Sequence, residues 1–367
     1  MAKPTTTAAR EEGFSTLGRR ERITLGIALG TTVLAAILHF AEANSILVFI
    51  LAGAALAVLA ALVGDATEQL GTRLGPGATG VLQSALGNLP ELFVGIFALR
   101  AGLTSVVQAA LIGSILGNSV LVMGLAFLVG GLRHGTQRFG SEAPRTVATL
   151  TLLAVAALAI PTLAHLLHTP AEPHADVLSA ASAVVLLAVF IVSIPVALRG
   201  GPIAPPEPAE KSGVPWPVWL AAALLALAGL GAAFVSEWFV DALTPATQAL
   251  GLSQAFTGLV VVALAGNAVE NVVGIQLMAA NKGDYAVSVI LNSSLQVALA
   301  LTPALVLLSF VLGGPHLTLV LPPLLVVAVG LAALLGTIIV YDGESTWLEG
   351  TALIGLYCII AASFWWG

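Results

Sequence analysis

The sequence predicts an all-α polytopic membrane protein, and three observations carry that expectation. Of 367 residues, 58% are hydrophobic and only 9% charged, with a mean hydropathy of +1.02, far from the composition of a soluble domain. Apolar runs long enough to span a bilayer recur along the chain. The word Gly87-Asn88-x-x-Glu91 returns as Gly266-Asn267-x-x-Glu270, 179 residues later.

At roughly 20 residues per span, the chain divides into about eleven candidates. They lie at about 23 to 40, 45 to 63, 79 to 99, 105 to 130, 146 to 167, 177 to 198, 218 to 240, 255 to 279, 285 to 312, 317 to 340 and 349 to 366. The first follows Arg19, Arg20 and Arg22, but no small-residue cleavage site succeeds it, so it is read as a helix and not a signal peptide. With the N-terminus inside, every lysine and arginine except Arg100 falls on the cytoplasmic side, as the retention of positive charge requires. The N-terminus is therefore expected in the cytoplasm and the C-terminus outside. Trp216, Trp219, Trp238, Trp347, Trp365 and Trp366 all fall near expected span ends, as an interfacial aromatic belt does.

The offset of 179 also sets Val94-Gly95-Ile96 on Val273-Gly274-Ile275, Ser114 on Ser293 and Leu116 on Leu295. A helix pair is thus duplicated. The expected organisation is a cytoplasmic tail at 1–22, a first helix at 23–40, a first repeat at 41–199 (helices 2 to 6), a Pro-rich cytoplasmic linker at 200–217 and a second repeat at 218–367 (helices 7 to 11). Five helices per half is an odd number, so the halves lie inverted, and such repeats place the substrate near the bilayer midplane.

Glu91 is expected about twelve residues into the third span and Glu270 about fifteen into the eighth, each near mid-membrane. An ionised carboxylate there costs about 3 kcal/mol, so a duplicated pair points to shared use. Two neutral glutamic acids that merely tie helices together do not explain the duplication. Asn88 and Asn267, three residues earlier, fall on the same helix faces. Two carboxylates, two amides, backbone carbonyls and water suit a hard cation of calcium's type; the absence of Cys, His and Met at these turns argues against soft metals. Gly87, Gly95, Gly266 and Gly274 allow close helix packing at the site. Pro90 removes an amide donor and frees the carbonyl of Leu86, or simply kinks the helix. Ser114, Asn118, Asn292, Ser293 and Gln296 add a second tier of polar groups. Asp65 and Glu68 are read as a solvated loop at the inner end of helix 2, with an acidic cation approach as the other reading. His165, His168, His174, Glu172 and Asp176 are read as an external cluster of ordinary interfacial residues.

Two carboxylates close together in a poorly solvated site resist being charged at once, so a divalent cation and protons compete for them, and competition of this kind is exchange. No His-Glu-x-x-His pair, Ser-His couple or paired catalytic aspartates suggests an enzyme, and no basic stripe suggests nucleic acid. Mid-membrane glutamates also build channel selectivity rings, which keeps a cation channel as a rival. No cofactor is expected; the expected partners are Ca2+, H+ and the lipid bilayer. In the absence of a targeting sequence, a prokaryotic plasma membrane is the expected location.

GNLPELFVGIFALRAG followed by SILGN, and GNAVENVVGIQLMAANKGD followed by NSSLQVAL, resemble the two repeat motifs of the calcium/proton exchangers, within the wider cation/calcium antiporter superfamily. ATEQLGTRLG from Ala66 to Gly75 and the layout of spans extend the resemblance over nearly the whole chain. It implies that Glu91 and Glu270 are the principal cation and proton ligands, with Asn88 and Asn267 beside them. Two positions depart from the family: Pro90 stands where alanine is usual, and Asn271 where a histidine follows the second glutamate. Pro90 is shared with the sodium/calcium exchanger branch, which keeps sodium coupling as the second reading.

Overall fold

The computed structural model describes residues 17–71, 73, 86–140, 142–198 and 216–366, with the side chains of Val269 and Glu270 outside the description. Residues 1–16 of the expected N-terminal tail, the start of the third span and most of the linker lie outside the described residues. Helices dominate what is described. In the first half they are α1 (Arg19–Phe40), α2 (Ser45–Gly71), α3 (Leu89–Arg100), α4 (Thr104–Leu116), α5 (Met123–His134), α6 (Glu142–Leu166) and α7 (Ala175–Leu198). The second half contributes α8 (Val218–Leu250), α9 (Gln254–Phe256), α10 (Ala263–Gly266), α11 (Ala268–Ala279), α12 (Gly283–Gln296), α13 (Thr302–Leu312), α14 (Pro323–Asp342) and α15 (Trp347–Ser363). Single π-helical turns at Gly117–Val122, Thr257–Val262 and Val297–Leu301 join α4 to α5, α9 to α10 and α12 to α13.

Among the described residues, 8 helices are long and apolar enough to cross a membrane, and the pair Gln254–Gly266 and Asn271–Ala279, bent by 62°, makes up to 9. The protein is thus a multi-pass membrane protein. α3 and α15 are shorter apolar helices, of 12 and 17 residues.

Three expectations about the helices need correction. α8 continues to Leu250 instead of stopping near residue 240, so Trp238 lies within the helix, where its indole stacks on His39. Asp65 and Glu68 belong to the last turns of α2, which stays helical to Gly71, and not to a loop. The span expected from residue 317 begins only at Pro323.

Residues 313–322 instead form a non-helical segment. Gly313 and Gly314 take φ of +74° and +101°, which ends α13, and Pro322 and Pro323 start α14. Between them Leu317, Leu319 and Leu321 are buried at every second position, the period of extended chain. Backbone groups buried this deep must find partners, and side chains from four helices supply them. Leu317 N–H donates to Ser309 Oγ (2.9 Å), Leu319 N–H to Ser179 Oγ (2.9 Å) and Leu321 N–H to Thr162 Oγ1 (2.9 Å). Thr162 Oγ1 donates to Leu319 O (2.9 Å), and Gln108 Nε2 donates to Thr318 O (2.8 Å) and Val320 O (3.2 Å).

A second segment of this kind follows α5. Its strand β1 (Gln137–Arg138) pairs antiparallel with β2 (Glu344–Ser345), and Phe139 N–H donates to Gly343 O (2.8 Å). Gly140 N–H donates to Asp284 Oδ1 (3.1 Å), and Arg138 pairs with Glu344 at 3.0 Å.

Close backbone packing holds the helices together where glycine permits it. A Cβ on Gly113 of α4 would fall on the backbone of Leu259, and one on Gly258 would meet Val106 O at 2.5 Å. Gly350 of α15 lies in the same way against Gly124 O and Leu128 N of α5.

Thr162→Val keeps the shape of the side chain but orphans Leu319 O and Leu321 N. It should cost about 2–4 kcal/mol and lower the melting temperature in detergent, while Thr149→Val, whose hydroxyl bonds only Arg145 O of its own helix, should stay near wild type.

Candidate cation site

The expectation of Glu91 deep inside a continuous span is overturned by a break at Gly87–Asn88. α3 starts at Leu89, with Asn88 as its N-cap at φ −90° and ψ 19°. Pro90 sits in the first turn, where a missing N–H costs nothing, so it starts the half-helix instead of kinking a long one. Glu91 follows it in that first turn, where helix N-termini favour negative charge. The second motif repeats this geometry: α11 starts at Ala268 behind Asn267 at φ −89° and ψ 18°, which places Glu270 in the first turn of α11. The asparagines thus occupy the N-cap positions at the breaks, with no capping bond from their side chains, and do not line continuous helix faces.

The two breaks meet. A Cβ added to Gly266 would lie 2.6 Å from Cγ, 2.9 Å from Cδ and 3.1 Å from Oε1 of Glu91, so the first half's carboxylate lies directly on the second half's break. Glu91 is 9% exposed and lines, with Pro90, Ser114 and Gly266, a narrow cavity of about 30 Å³, room for about two water molecules. The remaining wall is apolar and includes Leu56 of α2, Phe239 of α8 and Leu305 of α13. Phe239 is fixed by stacking on Phe49 at 4.7 Å.

Asn267 uses every hydrogen-bonding position of its amide. Nδ2 donates to Ser114 Oγ (2.9 Å) and Ala263 O (3.0 Å), while Oδ1 accepts from Asn118 Nδ2 (3.2 Å) and Ser293 Oγ (3.4 Å). Asn118 also donates to Ser293 Oγ at 2.8 Å. Asn88 Nδ2 donates to Gln296 Oε1 at 3.3 Å. Each broken segment is therefore held by an amide from the other half. Of the second-tier residues, Ser114, Asn118, Ser293 and Gln296 join this cluster; Asn292 does not, because its amide donates back to Ser288 O of its own helix at 2.9 Å.

Gly95 and Gly274 pack as expected, against Leu305 and Ile290, and Gly87 stands in the turn before Asn88. The π-turns carrying Asn118 and following Gln296 have no counterpart in local sequence signals, and neither do the cavity walls at Leu56 and Phe239. Outside the site, His165 and His168 both contact Glu172, at 3.3 and 2.9 Å, and His316 contacts Asp176 at 3.0 Å. Among the described residues no three such groups gather to hold a metal ion.

The site is oxygen-rich: Glu91 and Ser114 line the cavity, and Asn88 and Asn267 stand at the two helix breaks beside it, which suits a hard cation. Gly266→Ala would drive a methyl group into the Glu91 side chain. It should weaken cation binding by about tenfold, read as a reduced Ca2+-dependent rise in melting temperature, while Gly355→Ala, which faces open space, should not.

The chain matches the family model described as sodium/calcium exchanger protein twice, over residues 44–198 and 220–366. A Ca(2+)/H(+) antiporter of Synechocystis sp. is 38% identical over 337 residues, covering 86% of this chain and 90% of that one. The Ca(2+)/H(+) antiporter ChaA of Bacillus subtilis is 35% identical over 311 residues, covering 83% of this chain and 88% of its own. The solved structure of native YfkE superposes with a TM-score of 0.80 at 30% identity, covering 93% of this chain and 99% of that one. With its helix breaks, paired motif words and these likenesses on one chain, the protein belongs to the sodium/calcium exchanger family.

Proposed function

We propose that this protein exchanges Ca2+ for H+ across a membrane, with Glu91 and Glu270 binding the cation and protons competitively. The observation that carries the reading is the placement of Glu91 in the first turn of a half-helix, buried against the break that precedes Glu270. The names of relatives in Synechocystis and Bacillus subtilis support the ion pair. A carboxylate buried in a cavity with room for so little water favours an occupied state, and two such groups acting together would hold either one divalent cation or up to two protons. One cation against two protons keeps the charge of the site constant. Alternating access then follows from movement of the Glu-bearing half-helices against the apolar wall at Leu56 and Phe239. Ca2+ is the substrate of such a transporter, and no catalytic group or cofactor enters.

Eleven crossings, arranged as two inverted halves behind α1, are part of this reading. Loop-to-loop contacts support them, because two loops that touch lie on one face and the chain between them crosses an even number of times. Arg73 Nη2 donates to Trp216 O (3.3 Å), Gly140 N–H to Asp284 Oδ1 (3.1 Å) and Ser253 N–H to Trp365 O (3.3 Å). Evenness then asks for one crossing between Arg73 and Leu103, one by the bent pair and one by α15. Positive charge sets the N-terminus and the α5–α6 loop in the cytoplasm of a prokaryotic-type plasma membrane and the C-terminus outside.

The test is Ca2+ uptake into proteoliposomes under an imposed pH gradient, with Glu91→Gln and Glu270→Gln alongside. Uptake should require the gradient and fall to the protein-free background in both variants. Uptake driven by a sodium gradient would transfer the coupling to the second reading, which Pro90 favours, and large single-channel currents would point to a channel.

A further inference from the structure

The half-helices α3 and α11 end alike in backbone and differently in side chains. Leu103 N–H donates to Ala98 O and Gly102 N–H to Leu99 O; at the matching turn Lys282 N–H donates to Leu277 O and Asn281 N–H to Met278 O. The second residue after each helix is left-handed, with φ +76° at Gly102 and +59° at Asn281. Glycine adopts this conformation freely, whereas an asparagine there strains its backbone and needs a return.

The return is a clamp. Asn281 Oδ1 accepts from Gln137 Nε2 at 2.9 Å, and the same nitrogen donates to Met278 O at 3.2 Å, a carbonyl of the last turn of α11 that also accepts from Asn281 N–H. His134 Nε2 lies 3.0 Å from the next carbonyl, Ala279 O. Gln137 is 3% exposed, and its oxygen fills a notch at Gly130 of α5 that any Cβ would close. Its backbone belongs to β1, which is tied to β2, Gly343 and Asp284. At the end of α3, Gly102 faces open space and offers no side chain to such a clamp.

We propose that Gln137 is a positioning residue that sets the depth and rotation of α11, and through that helix the place of Glu270 in the cation site. The inference rests on the reading of Glu270 as an ion ligand. α11 has only 12 residues and starts at a break, so its far end is where its height in the membrane is decided. Gln137 itself touches no ion.

Gln137→Met keeps the length of the side chain and removes the donor; Asn281→Gly removes one of the two bonds and relieves the backbone. In proteoliposomes Gln137→Met should raise the apparent KM for Ca2+ about fivefold, the worth of a hydrogen bond or so, with the maximal rate unchanged. Asn281→Gly should raise it less. Amide hydrogen exchange of the ion-free protein at residues 276–282 should be faster in both. An unchanged KM in Gln137→Met overturns the proposal, whether or not exchange speeds up, since a merely structural clamp would loosen the helix and spare the site. If the wild-type protein carries no Ca2+, the proposed function fails and the positioning role falls with it, while unchanged exchange in Gln137→Met overturns the clamp itself.

Discussion

Everything distinctive in this protein depends on satisfying backbone polar groups where water is scarce. A span that breaks in the membrane exposes N–H and C=O groups that lipid cannot bond, and each costs several kcal/mol if left alone. At the two breaks the N-cap asparagines are held by amides from the opposite half: Asn88 donates to Gln296, and Asn267 accepts from Asn118. The polar residues around the carboxylates therefore tie the two halves together side chain to side chain, and Asn267 also donates to the backbone at Ala263 O. Ion binding is then built on groups that the fold already had to gather.

The two halves solve this problem unequally. Asn267 is bonded on all sides, to Ser114, Ala263, Asn118 and Ser293, while among the described residues Asn88 shows a single amide contact, to Gln296. Among the described residues the same bias appears at the far ends of the half-helices, where α11 is gripped by Gln137 and α3 ends in backbone bonds alone. The described cavity opens beside Glu91 on α3.

Much of this was legible in the sequence, and the failures have physical causes. Hydropathy located the long spans, and the recurrence of Gly-Asn-x-x-Glu located the two glutamate-bearing turns, because burying a carboxylate is too costly to be incidental. Hydropathy cannot, however, distinguish a helix from a buried extended chain, so LTLVL at residues 317–321 was expected to be helical. The bracketing Gly313-Gly314-Pro315 and Pro322-Pro323 were the available signal. The breaks at Asn88 and Asn267 were hidden by the apolar residues around them, although Pro90 marks a helix start as well as a kink. Asn292 shares its residue type with Asn118 but turns to its own helix, a choice of rotamer that no spacing reveals.

The two non-helical segments also bear on how the molecule is made. The segment after α5 comes from the first half and is tied to Asp284, Gly343 and Ser345 of the second; the segment before α14 comes from the second half and is tied to Gln108, Thr162 and Ser179 of the first. During synthesis the early helices must wait in the membrane with Gln108, Thr162 and Ser179 short of their native partners until residues 317–321 are translated. The halves are consequently interlocked products of one ribosome passage, and the vulnerable interval of biogenesis is the time taken to translate from α4 to α14.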